Sequence, residues 1–390
     1  MEKTNLRRCC SALMYIASCA LSGTPPKEAE CLNPEGLCAM AAEHTLGALI
    51  CHGLELAGAA SMKAVSDKNL AIRKIMLFDV ARAEILSALD KAGINYMVLK
   101  GVILKELYPS IGLRQMSDND ILISPRHRKD VRNIMSRLGY TVNSYGKGHH
   151  DVYIKEPVYN FEIHVNLFSI SKKRFYPYFK DALEKAMPLG DGSLGRKMTD
   201  EDFYIYLKAH EYKHYVNSGI GLRTLIDTYI FLKAKSDTLN FDYVTAECEK
   251  IGMVEYELQT RALALKLFAP ENAEELRKFA LTGEGVVFTE EEWEMLEFYA
   301  TSGTYGRFSM TVEREMQEYE AQHKGGTAKL RYLLRRIFPD MDYYKESAPF
   351  VYKYKILIPF YCIGRLIRAL LRQPRMIFSQ LKSVLKYKKK

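Results

Sequence analysis

The sequence predicts an α+β protein: a mixed sheet flanked by helices, then an all-helical module, with further helices at both chain ends. Three observations carry this. Short apolar runs bounded by turn residues crowd between Tyr96 and Asn166. Helical periodicity governs the chain after about residue 200. The 390 residues are 48% hydrophobic and 26% charged, which gives core material for more than one folding unit.

Residues 1–68 read as an N-terminal helical segment, broken at GTPPKEAE and LNPEG. Arg7-Arg8 precedes CCSALMYIASCALSG, which has the outline of a secretory leader. Cys and Ser interrupt its apolar run, so a packed helix is preferred, with Leu6, Cys10, Leu13, Ile16 and Ala17 on one stripe. Six of the eight cysteines lie before residue 52, none in CxxC or zinc spacing. Free, mostly buried thiols in a reducing cytosol are expected.

A sheet-bearing unit spans 69–190. It opens with a long helix from Asn69 to Lys91, stopped by Gly93. Tyr96–Leu99 is a short strand ended by Lys100-Gly101, and VILKELY a short helix. PSIGLRQ is a loop, and Asn119–Ile123 a second strand. Pro125 starts a helix that runs to Arg137 before Gly139. Strands follow at Tyr140–Ser144, Asp151–Lys155 and Asn160–Asn166. The helical module covers 191–345, with FYIYLKAHEYKHYV and LRTLIDTYIFLKAK as its clearest helices. A basic amphipathic tail covers 346–390.

The net charge of +9 is local to that tail. No acidic residue follows Glu346, and eleven Lys or Arg fall between Lys353 and Lys390; the remaining chain holds 45 basic against 47 acidic residues. A near-neutral body argues against long nucleic acid as a partner. The tail alternates apolar and basic groups. Its two readings are a final helix packed on the body and a peripheral contact with the inner membrane face.

Chemistry concentrates at MSDNDILI, residues 116–123. Residues two apart on a strand share a face, about 7 Å apart, so Asp118 and Asp120 point the same way. Such carboxylates repel each other unless one is protonated or a cation arrives. Glu162, in the alternating strand FEIHV, joins them if its strand lies alongside. Three carboxylates suit two Mg²⁺ ions about 3.5–4 Å apart, the arrangement for in-line phosphoryl or nucleotidyl transfer. Asp-x-Asp alone is more often a solvated strand end or a helix N-cap before Pro125 than a metal site; Glu162 tips the balance to metal.

These residues resemble a known pattern. The segments Leu99-Lys100-Gly101, Leu107-Tyr108-Pro109, Gly112-Leu113-Arg114, Asp118, Asp120, Leu138-Gly139-Tyr140 and Glu162-Ile163-His164 together are similar to nucleotidyltransferase family 5, of the DNA polymerase beta-like superfamily. The likeness continues through His210-Glu211-Tyr212-Lys213-His214, Leu222–Asp227 and Gly303-Thr304-Tyr305-Gly306, and into Leu357-Ile358-Pro359 and Arg365. It implies an NTase fold that transfers NMP from an NTP with Mg²⁺ or Mn²⁺ and releases pyrophosphate. The acceptor would be a small molecule, peptide or protein. By the resemblance, Asp118 and Asp120 bind both metals, and Glu162 binds one and orients or deprotonates the acceptor hydroxyl. Gly101 admits the phosphates, while His210, His214, Arg223 and Asp227 line the cleft or join two helices. The chain departs from the superfamily at the phosphate turn, where Lys100-Gly101-Val102 replaces Gly-Ser or Gly-Gly; Lys100 and Arg114 are candidates to supply the charge.

Other readings stand beside these. Arg114 could pair with Asp118 at the surface. His164 is either a supporting partner of Glu162 or a satisfied, partly buried histidine. HEYKH matches the zinc-protease pattern formally, but no third ligand follows at a suitable distance. The remaining rivals to a transferase of free acceptors are an inactive nucleotide-binding module and an antitoxin-type enzyme that modifies a partner protein.

Overall fold

The computed structural model describes residues 3–285, 288–304, 311–312, 316, 328–372, 374, 377 and 384. Five strands make one mixed sheet: β1 Tyr96–Val98, β2 Asn119–Ile123, β3 Thr141–Ser144, β4 His150–Lys155 and β5 Tyr159–His164. Their order is β1-β2-β5-β4-β3. β2 and β5 run parallel, and the other neighbours are antiparallel. A small ladder, β6 Met187–Pro188 with β7 Arg196–Lys197, adjoins β1 through a bridge between Tyr96 and Gly195 and has no counterpart in the sequence reading.

Period-two alternation sorts the sheet's faces. Ile121, Ile123, Phe161 and Ile163 pack with Ile85 and Leu89 of the helix Met62–Lys91, and with Val131 and Ile134 of the helix Arg128–Arg137. Leu122, from the opposite face, packs with Phe203, Tyr206 and Leu207 of the helix Asp200–Asn217. The residues between the apolar ones on β2 and β5 therefore face that helix.

The long helix begins at Met62, not Asn69, because the Ser61 hydroxyl accepts from the Ala64 amide and caps it. The helix expected at Pro125 starts as a 3-10 turn, Pro125–His127, before becoming α-helical. In the loop before β2, Gly112 has φ of 84°, and an added Cβ would lie 2.8 Å from the Ile72 Cα. Only glycine suits that turn.

The N-terminal helix Lys3–Ser22 buries Cys10, Leu13, Ile16 and Ala17 completely, in one core with residues of the helices Gly47–Leu56, Asn272–Thr282 and Glu290–Ser302. The predicted stripe is covered, Leu6 only partly, but Ser11, Ala12, Met14 and Tyr15 are buried too, so the helix is enclosed on all sides rather than along one stripe. All eight cysteines are free; Cys31 alone among them is exposed.

Thr199 caps the helix Asp200–Asn217, and Asp200, Glu201 and Asp202 in its first turn complement its dipole. Within the module the fully buried Lys208 ammonium donates to Glu211 Oε2 at 2.9 Å and to the Thr228 and Thr260 hydroxyls. A buried charge satisfied this fully fixes how three helices meet. The C-terminal helix Ile358–Arg372 is described; the Lys-rich end after it, like Tyr305 and Gly306, lies outside the described residues. Among the described residues no helix is long and apolar enough to cross a membrane.

Candidate active site

One cavity of about 370 Å³ sits between the sheet and the helices Asp200–Asn217 and Arg223–Lys235. Its size is that of a small-ligand site. Asp118, Asp120, Glu162, Lys100, Gly101, Arg114, His164, His210, His214, Arg223 and Asp227 all line it, so every site residue named from sequence comes to one place.

The strand register builds one wall. Asp120 lies directly opposite Glu162 across the parallel pair β2–β5. His164, two residues on, lies opposite Leu122 on one side and His150 of β4 on the other. His164 Nε2 is 3.2 Å from Asp120 Oδ1 and 3.6 Å from Glu162 Oε2. One ligand atom each of Asp120, Glu162 and His164 lie within 4.8 Å of one another; Asp118, just before β2, faces the same cavity but is not in that group.

Electrostatics divides the two aspartates. Burial, then the charge of Asp120, push the Asp118 carboxyl up to about 6, against the pull of Lys100. Burial alone would raise Asp120 as well, but Lys100 and His164 hold it far below the usual carboxylate range. For Glu162, burial is the largest single influence, but the hydrogen bond from His164 and the charges of His150 and His164 together outweigh it, and its carboxyl lies below its ordinary value. A carboxylate whose charge is disfavoured by burial and by Asp120, beside two held charged, is a donor set that a divalent cation satisfies.

Cations line the same cavity. Lys100 Nζ is 3.4 Å from Asp120 Oδ2 and 3.1 Å from His210 Nε2. On the helix Asp200–Asn217, His210, Lys213 and His214 share one face. Burial, then Lys100 and Lys172, pull Lys213 down to about 7. His214 lies far below the usual histidine range, first through burial and then through Lys213. Cations this crowded and desolvated favour an anion among them.

Arg114 and Asp227 border the cavity but spend their polar atoms on each other. Arg114 Nε and Nη2 donate to the two Asp227 oxygens, both at 2.8 Å, and the Tyr108 hydroxyl adds a third bond at 2.8 Å. The surface bridge from Arg114 to Asp118 is therefore replaced by a buried pair 113 residues apart in sequence. Arg223 Nη1 donates to the Gln115 carbonyl at 3.1 Å. Gly101 has an ordinary φ, yet a Cβ there would press on the Met116 methyl and Arg114 Nη1 at 3.2 and 3.3 Å.

HEYKH does not assemble as a zinc protease. Glu211, the expected base, turns away to Lys208, and among the described residues His210 and His214 join no metal-ligating group. Sequence reasoning missed His149, His150, Tyr206 and Lys213, which also line the cavity. Lys213 was legible, three residues from His210 on its face. His150 opens β4 and His149 immediately precedes it, and their nearness to His164 depends on a register that sequence does not print.

A family model described as an uncharacterised nucleotidyltransferase matches residues 30–269, well over half of the chain. No curated protein and no solved structure matches.

Proposed function

The chain belongs to a family of uncharacterised nucleotidyltransferases, and from that premise we propose that it transfers a nucleoside monophosphate from an NTP to an acceptor hydroxyl. The observation that carries this is the β2–β5 register, which sets Asp120 beside Glu162 in the cavity that Lys213 and His214 also line. Carboxylates and cations gathered in one cavity match the two halves of a metal–triphosphate complex.

In this reading Asp118, Asp120 and Glu162 hold Mg²⁺ or Mn²⁺. Bound there, the metal would screen the α-phosphate and lower the pKa of the acceptor hydroxyl. Lys100, Lys213 and Arg223 orient the β- and γ-phosphates, and neutral His210 and His214 offer hydrogen bonds without adding charge. Glu162 orients the acceptor and takes its proton. The acceptor oxygen bonds to the α-phosphorus, the bond to the β-phosphate bridge breaks, and pyrophosphate leaves. The acceptor is a small molecule, peptide or protein.

The test is transfer of label from each α-labelled NTP to cell extract, with Mg²⁺ or Mn²⁺. The expected result is metal-dependent labelling of one acceptor; a labelled partner protein would mark the antitoxin-type enzyme. Metal-dependent NTP binding without labelling, by calorimetry, would mark a binding module. Absence of binding would end the transferase reading.

We also propose that the C-terminal helix rests on an anionic membrane surface. Ile356, Phe360, Ile363, Ile367 and Leu371 recur at helical spacing and are each more than half exposed. Cys362, on another side, is buried against Tyr344. Arg368 flanks the apolar stripe, whereas Arg365 turns to the body, donating to the Arg336 carbonyl and lying over the Tyr343 ring; nothing acidic follows Glu346. Phosphatidylserine vesicles are expected to sediment the protein and neutral vesicles not to. Arg368→Glu should cost about 1 kcal/mol or more per charge removed, and Phe360→Asp with Ile367→Asp should abolish binding. Equal binding to both vesicle types, or none, would refute the contact.

A further inference from the structure

Beside the carboxylates lies a group that metal-dependent transfer by Mg²⁺ does not need. His149, His150 and His164 each place a ring nitrogen within 4.8 Å of the others. Ring centroids are 4.8 Å apart for His149 and His150, and 5.0 Å for His150 and His164. The backbone makes this arrangement. His150 and His164 are register partners on β4 and β5, and the His149 carbonyl accepts from the Val165 amide at 2.8 Å.

The cluster is not satisfied by its own hydrogen bonds. His164 is 7% exposed, and its Nε2 faces Asp120 and Glu162. Its Nδ1 is buried with no hydrogen-bond partner among the described residues, as is Nδ1 of His150. Burying such nitrogens unpaired is costly, and three packed imidazoles cannot all donate to one another. A cation that accepts their lone pairs resolves the deficit.

We propose that His149, His150 and His164 form a nitrogen-donor site for a first-row transition ion of the zinc or cobalt class, with His164 shared between it and the pair Asp120–Glu162. Magnesium takes oxygen ligands, whereas imidazole suits zinc, copper, iron and nickel. Bonds of about 2.0–2.1 Å to zinc require the rings to draw in from their present spacing. The His150 side chain, 30% exposed, has room to turn. For its place in catalysis the inference rests on the transferase reading; for binding it stands on the histidines alone.

The experiment titrates Zn²⁺ against a chromophoric chelator, and Co²⁺ by its visible spectrum, into the metal-free full chain. Wild type is compared with the double variant His149→Gln, His150→Gln, and Mg²⁺·ATP binding is measured by calorimetry on the same samples. One equivalent of zinc is expected, with a nitrogen-ligated cobalt spectrum. The double variant should lose more than the roughly 10–100-fold in affinity that even an outer partner of a metal ligand commands. Zinc affinity unchanged by the substitutions, or cobalt bound through oxygen alone, would overturn the inference. Histidine-dependent zinc binding would uphold it whether or not Mg²⁺·ATP binds; Mg²⁺·ATP binding without histidine-dependent zinc binding would overturn it and leave the transferase reading standing. If circular dichroism shows the double variant unfolded, His150→Gln alone decides by the same criteria.

Discussion

In Asp120→Asn, labelled transfer falls by at least the roughly 100- to 1,000-fold that one electrostatic contact to a transition state commands, and the metal-free protein loses stability at neutral pH. In Asp118→Asn transfer falls comparably, but the metal-free protein gains stability. The opposite signs come from the two environments. Asp118 is raised from 3.8 to about 6, mainly by burial. The folded state therefore prefers its protonated form. That contribution is fully present below about pH 4 and is lost as pH rises through about 6. Asn at this position keeps the uncharged form at every pH, so its advantage appears above pH 6 and fades below. Asp120 is depressed by Lys100 and His164 despite its burial. Its contribution is present above its ordinary value and lost only in acid. Asn there leaves Lys100 and His164 buried beside a neutral group. Thermal unfolding in chelator at pH 5 and pH 7.5, with transfer assays alongside, checks both arms. Two variants destabilised alike at pH 7.5, or either retaining transfer, would refute the assignment.

How much of this site was legible depended on whether its geometry is local. Alternation along one strand is local. Asp118 with Asp120, and Glu162 with His164, were therefore assigned to shared faces from spacing alone, and the strands at 119–123 and 159–164 lie where turn residues bound them. Pairing between strands is not local. That Glu162 sits opposite Asp120, and His150 opposite His164, depends on a parallel crossover and a hairpin register. The first was reachable only as a condition, and the second went unseen. The start of the long helix was missed because Ser61 was not read as a cap. The two-residue strands β6 and β7 are too short to show any period. Arg114 was read as a cation for phosphate or for Asp118, since nothing in its neighbourhood announces a partner 113 residues away.

That distant partner makes the second large effect. Asp227→Ala is expected to destabilise the protein by about 3–5 kcal/mol, because it leaves the Arg114 guanidinium buried without its counter-charge. Arg114 and Asp227 are each 5% exposed, so water from the cavity replaces the lost oxygens only poorly. Arg114→Met should cost a similar amount by stranding Asp227, although Tyr108 still donates to it. The double variant should be less damaged than the sum of the singles, with a coupling of about 0.5–3 kcal/mol. Denaturant midpoints of the four proteins measure this directly. The consequence for function follows from where the pair sits. Arg114 belongs to the loop that leads into β2 and its aspartates, and Asp227 to the helix Arg223–Lys235. The bidentate bond ties the loop that presents Asp118 to the helical wall. Arg114→Lys separates this role from direct phosphate binding. A lysine keeps the charge but not the fork, so a tie between walls predicts lost stability with NTP affinity falling alongside it. A phosphate ligand predicts unchanged stability with affinity alone altered. With both guanidinium donors already at 2.8 Å from Asp227, the first outcome is expected.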